Sequence, residues 1–224
     1  MKQYCIYSND YFGEDEMNPE HVIPLSLGGS NGFCINVNAD INSKLGSKID
    51  GKLTNDYLIS CLRRRNNLRG HSKKEPITSL RRVKLKDTKR PVQLTFNSEG
   101  KHVYDLIEKR RLLGDELKGL EYQVQMKFDK HIRSLFVAKT ILSAGYSIYG
   151  DKFLQFADHE SLRCYMNFAL HRDKGLIEHL NLRFMDQFNE IEDKRTVEAR
   201  DYFKLIFKEL NCSAVMFTLC SEHF

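Results

Sequence analysis

Glu20-His21-Val22-Ile23-Pro24, then Gly28-Gly29, then Asn42-Ser43-Lys44-Leu45-Gly46 are the stretches whose order decides how this chain folds. A carboxylate adjoins a histidine in a short apolar run that is rich in β-branched residues and flanked by Pro19 and Pro24. Such a run, Glu20 to Leu27, predicts a strand that is not central in a sheet, because proline cannot donate to a ladder. Gly28-Gly29-Ser30-Asn31-Gly32 is turn chemistry. Phe33 to Val37 alternates apolar and polar residues and reads as the returning strand of a hairpin. Asn38 or Asp40 can cap a helix at this point. Ile41, Leu45, Ile49, Leu53, Leu58 and Leu62 then recur at helical spacing, which predicts a helix to about Arg65. Gly46 and Gly51 weaken that helix intrinsically, so tertiary packing must hold it or another segment must approach closely there.

Outward from this centre, residues 3–7 alternate weakly and predict a short strand, and the acidic, turn-rich stretch 8–18 predicts a loop. Downstream, Arg63 to Lys74 is a basic loop. Arg81 to Leu85 and Val92 to Phe96 alternate as strands do. After Gly100 the texture becomes helical: Val103 to Leu113, Met126 to Ala144, Ser161 to Leu170 (with Asp158 as a cap) and Leu176 to Leu210. Ser213 to Leu219 is β-like. The fold class is α+β. The divisions are a hairpin–helix core over 1–65, a basic β-rich connector over 66–100 and a mainly helical region over 101–224. The apolar stripes of the helical part read as core and scaffold.

With 224 residues, 41% of them hydrophobic and 29% charged, the chain has enough apolar content to bury a core and reads as globular rather than disordered. No apolar run approaches the ~20 residues that span a bilayer, and the first residues carry no signal-peptide apolar region. Cys5, Cys34, Cys61, Cys164, Cys212 and Cys220 form no CxxC pair and fit reduced thiols of a cytoplasmic protein. The net charge of +5 conceals an asymmetry. Residues 1–43 carry one Lys and six acids, whereas residues 44–90 carry fifteen Lys or Arg and four acids. A basic block beside a histidine–carboxylate motif suits a polyanion, since each cation near a phosphate releases condensed counterions. A solvated basic face is the plainer reading of any charge run.

Phosphodiester hydrolysis needs an activated water, charge stabilisation on the phosphate and help for the leaving oxygen. An imidazole serves the first need. A hard divalent cation on oxygen ligands serves the other two, and Glu20 and Asn42 both offer oxygen. The ordered set Glu20-His21-Val22-Ile23-Pro24, Gly28-Gly29 and Asn42-Ser43-Lys44-Leu45-Gly46-Ser47-Lys48-Ile49-Asp50 resembles the ββα-metal core of the HNH endonuclease family. It is most similar to the branch with a Glu-His-Ile-Ile-Pro-type opening. The resemblance covers roughly residues 3 to 65.

The resemblance implies a metal-dependent endonuclease acting on DNA, with His21 as the general base and one divalent ion, Mg²⁺ or Mn²⁺, on Glu20 and Asn42. A catalytically decayed nucleic-acid-binding module and an RNA-cleaving, toxin-like nuclease are the alternatives. Asn31 and Asn36 are both candidates for the asparagine that orients the histidine, while Asn38 could act or merely cap the helix. Asp50 could support the site or belong to a local ionic network. Lys44, Lys48 and Lys52 form a stripe along the helix. Together with Arg63, Arg64, Arg65, Arg69, His71, Lys73 and Lys74 they are the candidate backbone contacts, although His71 reads first as an ordinary loop residue. The four-cysteine zinc site that many HNH proteins carry is missing here, so no structural zinc is expected. A homo-oligomer or a regulatory protein partner, and a bacterial or phage origin, are further expectations from the resemblance.

Overall fold

The computed structural model describes residues 1–126, 129–171, 175 and 180. The expected segments Leu176–Leu210 and Ser213–Leu219 therefore lie, apart from position 180, outside the described residues.

β1 (Lys2–Cys5) and β2 (Asp10–Gly13) form an antiparallel hairpin. β2 lies within the stretch expected to be loop. Asn9 adopts a left-handed conformation (φ 60°) and its N–H donates to Cys5 O at 2.9 Å, which reverses the chain. Tyr11 then pairs with Tyr4, their rings 5.5 Å apart, so a local aromatic contact overrides the acidic surroundings.

β3 (Met17–His21) pairs antiparallel with β4 (Cys34–Asn38), Glu20 opposite Ile35 and His21 opposite Cys34. Strand pairing stops earlier than Leu27, because after Pro24 the chain coils into a 3-10 turn over Leu25–Leu27. The double glycine is required at this point. Gly28 has φ 92°, and a Cβ on Gly29 would lie 1.6 Å from Ile23 O.

Asn38 starts the next element, its Oδ1 accepting from Ile41 N at 3.1 Å. α1 (Ala39–Leu45) runs into a π turn over Gly46–Asp50 and on into α2 (Gly51–Thr54). The two glycines bracket this widened turn, and among the described residues nothing lies within 4 Å of a Cβ placed on Gly46. The expected single helix is broken at Asp56, whose side chain caps α3 (Tyr57–Arg65) by accepting from Leu58 N and Ile59 N. Leu45, Ile49 and Leu53 are buried, while Leu62 is exposed.

β5 (Thr78–Leu85), β6 (Pro91–Asn97), β7 (Gly100–Asp105), β8 (Arg110–Arg111) and β9 (Tyr122–Val124) form an antiparallel sheet in the order β8-β7-β6-β5-β9. The helix expected over Val103–Leu113 is instead a strand, a turn and a second strand. Asp105 Oδ1 accepts from Ile107 N at 2.8 Å and Glu108 N at 2.9 Å, closing the turn. Leu106 and Ile107 stand exposed at its tip, and their apolar side chains imitate a helical stripe in the sequence. The sheet therefore runs across position 100. It has its own apolar cluster of Val83, Leu85, Val92, Leu94, Val103 and Leu112.

α4 (Lys130–Tyr149), α5 (Asp151–Phe156) and α6 (His159–His171) complete the described chain, with Asp158 Oδ1 accepting from Ser161 N at the start of the last. They pack back onto the N-terminal hairpins. One continuous core joins Cys5, Ile6, Tyr7, Val22 and Val37 with Leu45, Ile49, Leu135, Leu142 and Met166. The chain is thus mixed α and β, and its first 54 residues share a core with the helices after position 130. Among the described residues no helix is long and apolar enough to cross a membrane.

Candidate active site

Consecutive residues of a strand project to opposite faces, and at Glu20-His21 this divides the motif in two. Glu20 is buried on the inner face of β3, against α4. There the Lys139 ammonium of α4 forms ion pairs with both Glu20 Oε1 and Asp50 Oδ2, its side chain only 3% exposed. Burial raises the pKa of Asp50 above the ordinary aspartate range, with the Lys139 charge opposing the rise. Tyr7, fully buried beside this group, has its phenol pushed well up, first by burial and then by the negative charge of Glu20. Lys139 escaped sequence reasoning. The signal present is a lysine at helical spacing between Leu135 and Leu142, both buried, where a third apolar residue belongs.

His21 leaves the outer face, half-buried at the end of β3. Its Nε2–H donates to Asn31 Oδ1 at 2.9 Å. A neutral imidazole carries one N–H, so this bond leaves Nδ1 as the lone-pair nitrogen. The His71 ring lies 5.3 Å from the His21 ring, centroid to centroid, and meets it edge-on at 62°. One hydrogen bond and two close approaches at glycines carry His71 there from fifty residues downstream. Arg63 Nε donates to Ser26 O at 2.8 Å. A Cβ built on Gly28 would touch Leu68 at 3.6 Å, and one on Gly70 would touch Ser26 at 3.3 Å. The basic loop is thus fastened along the 3-10 turn that ends the motif strand.

The remaining candidates divide into engaged and open side chains. Asn42 Nδ2 donates to Asn18 Oδ1 at 2.9 Å, Asn36 Nδ2 to Gln3 Oε1 at 3.1 Å, and Asn38 caps α1. Of the two candidate orienting asparagines, Asn31 is therefore the one in contact with His21. Lys44 pairs with Asp40 at 2.5 Å, and Lys48 donates to Leu170 O at 3.1 Å. Both also line a cleft of about 420 Å³ with Tyr7, Ile41, Asn167 and His171, which includes neither His21 nor His71. Arg63 is spent on backbone carbonyls, and the Arg64 guanidinium lies 6.0 Å over the Phe96 ring. Arg69 bonds within its own loop, to Asn67 Oδ1 and Lys73 O. Lys52, Arg65, Arg69, His71, Lys73 and Lys74 are exposed.

Both members of the ligand pair that the resemblance implies are engaged by other side chains. The Glu20 carboxylate is inside the core, Asn42 is bonded to Asn18, and the Lys139 ammonium stands between Glu20 and Asp50 where a cation would find its carboxylates. In this arrangement the donor set does not fit a divalent ion, because the anionic charge that would hold it is already neutralised by a buried lysine. What remains is a proton acceptor on the outer face, a second imidazole against it and exposed cations on the loop that carries that imidazole, residue types suited to binding a phosphate and moving protons beside it. Comparison of the chain with protein-family models, with curated proteins and with solved structures finds no match.

Proposed function

We propose that this chain is a nuclease that breaks phosphodiester bonds in nucleic acid, with His21 as the general base. The observation that carries the reading is the His21 imidazole, held through Nε2 by Asn31 at the end of the hairpin and facing an arginine- and lysine-rich loop fastened to the same turn. His21 Nδ1 accepts the proton of the attacking hydroxyl. Arg65, Arg69, Lys73 and Lys74 balance the phosphate charge and hold the backbone. From the HNH resemblance the proposal takes the base and the polyanionic substrate, and no step passes through a metal.

The test is cleavage of supercoiled DNA, linear DNA and RNA by the wild type and by His21→Ala prepared in parallel, in Mg²⁺, in Mn²⁺ and in EDTA. Loss of a positioned general base costs about 10²- to 10⁴-fold, so the variant is expected to fall at least about 100-fold. Equal cutting by both proteins overturns the role of His21.

A second reading is favoured by one observation, the closure of Glu20 and Asp50 onto Lys139. It is a nucleic-acid-binding module that has kept the hairpin and basic loop but does not cut. Salt-sensitive binding with no cleavage of any substrate is its signature.

A further inference from the structure

We infer that His21 and His71 form the base and acid of a metal-independent cleavage of RNA, in which the substrate's own 2′-hydroxyl is the nucleophile. The inference rests on the nuclease reading above and names the substrate class of that same site. Its starting point is the pair of imidazoles, 5.3 Å apart and edge-on, one oriented by a hydrogen bond and the other standing in solvent on a cationic loop.

A base that must create hydroxide from water benefits from a metal to lower the water's pKa. A ribose carries its nucleophile one carbon from the phosphate, already in place, and needs only a base to take its proton and an acid to protonate the departing oxygen. Two histidines supply both. Glu20 and Asp50, the carboxylates of the motif, are held inside by Lys139, so the chemistry inferred for the outer face rests on proton transfer and positive charge.

The proton count closes. His21 Nδ1 takes the 2′-hydroxyl proton as the 2′ oxygen bonds to phosphorus. The bond from phosphorus to the 5′ oxygen breaks, and that oxygen receives its proton from the His71 imidazolium. The products are a 2′,3′-cyclic phosphate and a 5′-hydroxyl. His21 is left protonated and His71 neutral, and exchange with water restores both. Arg65 at the end of α3 and Arg69, Lys73 and Lys74 on the loop that carries His71 are exposed and supply positive charge for the phosphate.

The experiment uses the full chain and a short end-labelled RNA in EDTA. The wild type is expected to cut it, leaving a cyclic phosphate, and to spare the same strand carrying one 2′-deoxy sugar at the cleaved position. His71→Ala, a change on an exposed loop, is expected to slow cleavage by about 10² or more. A substrate whose leaving 5′ oxygen is replaced by sulfur needs no acid, so His71→Ala should cut that substrate at nearly the wild-type rate. A residue that merely shapes the loop would lose both substrates alike, and that result overturns the acid role. Cleavage that requires a divalent ion and tolerates the 2′-deoxy sugar overturns this inference while leaving the nuclease reading intact. Failure to cut RNA or DNA under any condition overturns both.

Discussion

Lys139 holds two carboxylates with one ammonium inside the core, and the cost of removing it comes from that imbalance. Breaking a buried ion pair from one side is typically worth about 3–5 kcal/mol, because the partner is left charged and unsolvated. Lys139→Met, which keeps volume and removes charge, is expected to lose stability in that range in urea denaturation. Adding Glu20→Gln and Asp50→Asn to it should recover most of the loss, since the uncompensated charges go with them. Asp50 also predicts a pH effect. The folded chain holds its proton more tightly than the unfolded chain does, because burial raises its pKa. Its contribution to folding is therefore full in acid, below the ordinary aspartate value, and is lost as the pH rises through the raised one. The stability difference between wild type and Asp50→Asn should accordingly change between those two values and level off on either side. At this scale the motif residues were legible in the sequence as chemical types. Their partners were not, because Asp50 and Lys139 are 89 positions apart.

The hairpin, its turn and the start of the helix were legible as elements, each from a local rule. Alternation marks β4, Gly28-Gly29 marks the reversal and Asn38 marks the cap. The turn carries a sharp test. Gly29→Ala places a methyl against Ile23 O at 1.6 Å, so the turn must rebuild and His21 with it. Loss of stability and of His21-dependent activity together is the expected outcome, read by thermal denaturation and cleavage. The break between α2 and α3 was not legible, since the apolar spacing continues across it. It is made by Asp56, which caps α3 and also bonds Arg133 of α4 at 3.1 Å, the aspartate side chain only 6% exposed. Asp56→Ala should cost about 3 kcal/mol, combining a lost cap with a broken, largely buried pair, and Asp56→Asn clearly less because the cap survives. Val103–Leu113 failed for the opposite reason, a turn with an apolar tip that reads as a helical face.

Across the whole molecule, the core that supports the site joins the two ends of the described chain, while the five-stranded sheet between them packs around its own cluster. The site faces outward from the shared core, and the nucleic acid proposed as its partner would be held by charge. Binding to a single-stranded polyanion should weaken linearly with the logarithm of salt, with each phosphate-contacting cation worth about 0.7 in slope. Replacing Lys73 and Lys74 together by alanine should lower the slope by about 1.4. Lys44→Ala should change it little, because Lys44 is paired with Asp40.

The sequence by itself determined the mixed α and β class, the hairpin–turn–helix order around His21 and the basic character of the adjoining loop. All of these are properties of neighbours along the chain: period, turn chemistry, caps and charge. Only the tertiary structure decided that Glu20 belongs to the core, that Asn31 rather than Asn36 holds His21, and that His71 stands beside it. The physical reason is the two-residue period of a strand, which sends Glu20 and His21 to opposite faces. What meets each face is then set by packing between segments far apart in sequence: a lysine from α4 on the inside and a loop fastened through Ser26 and Gly28 on the outside.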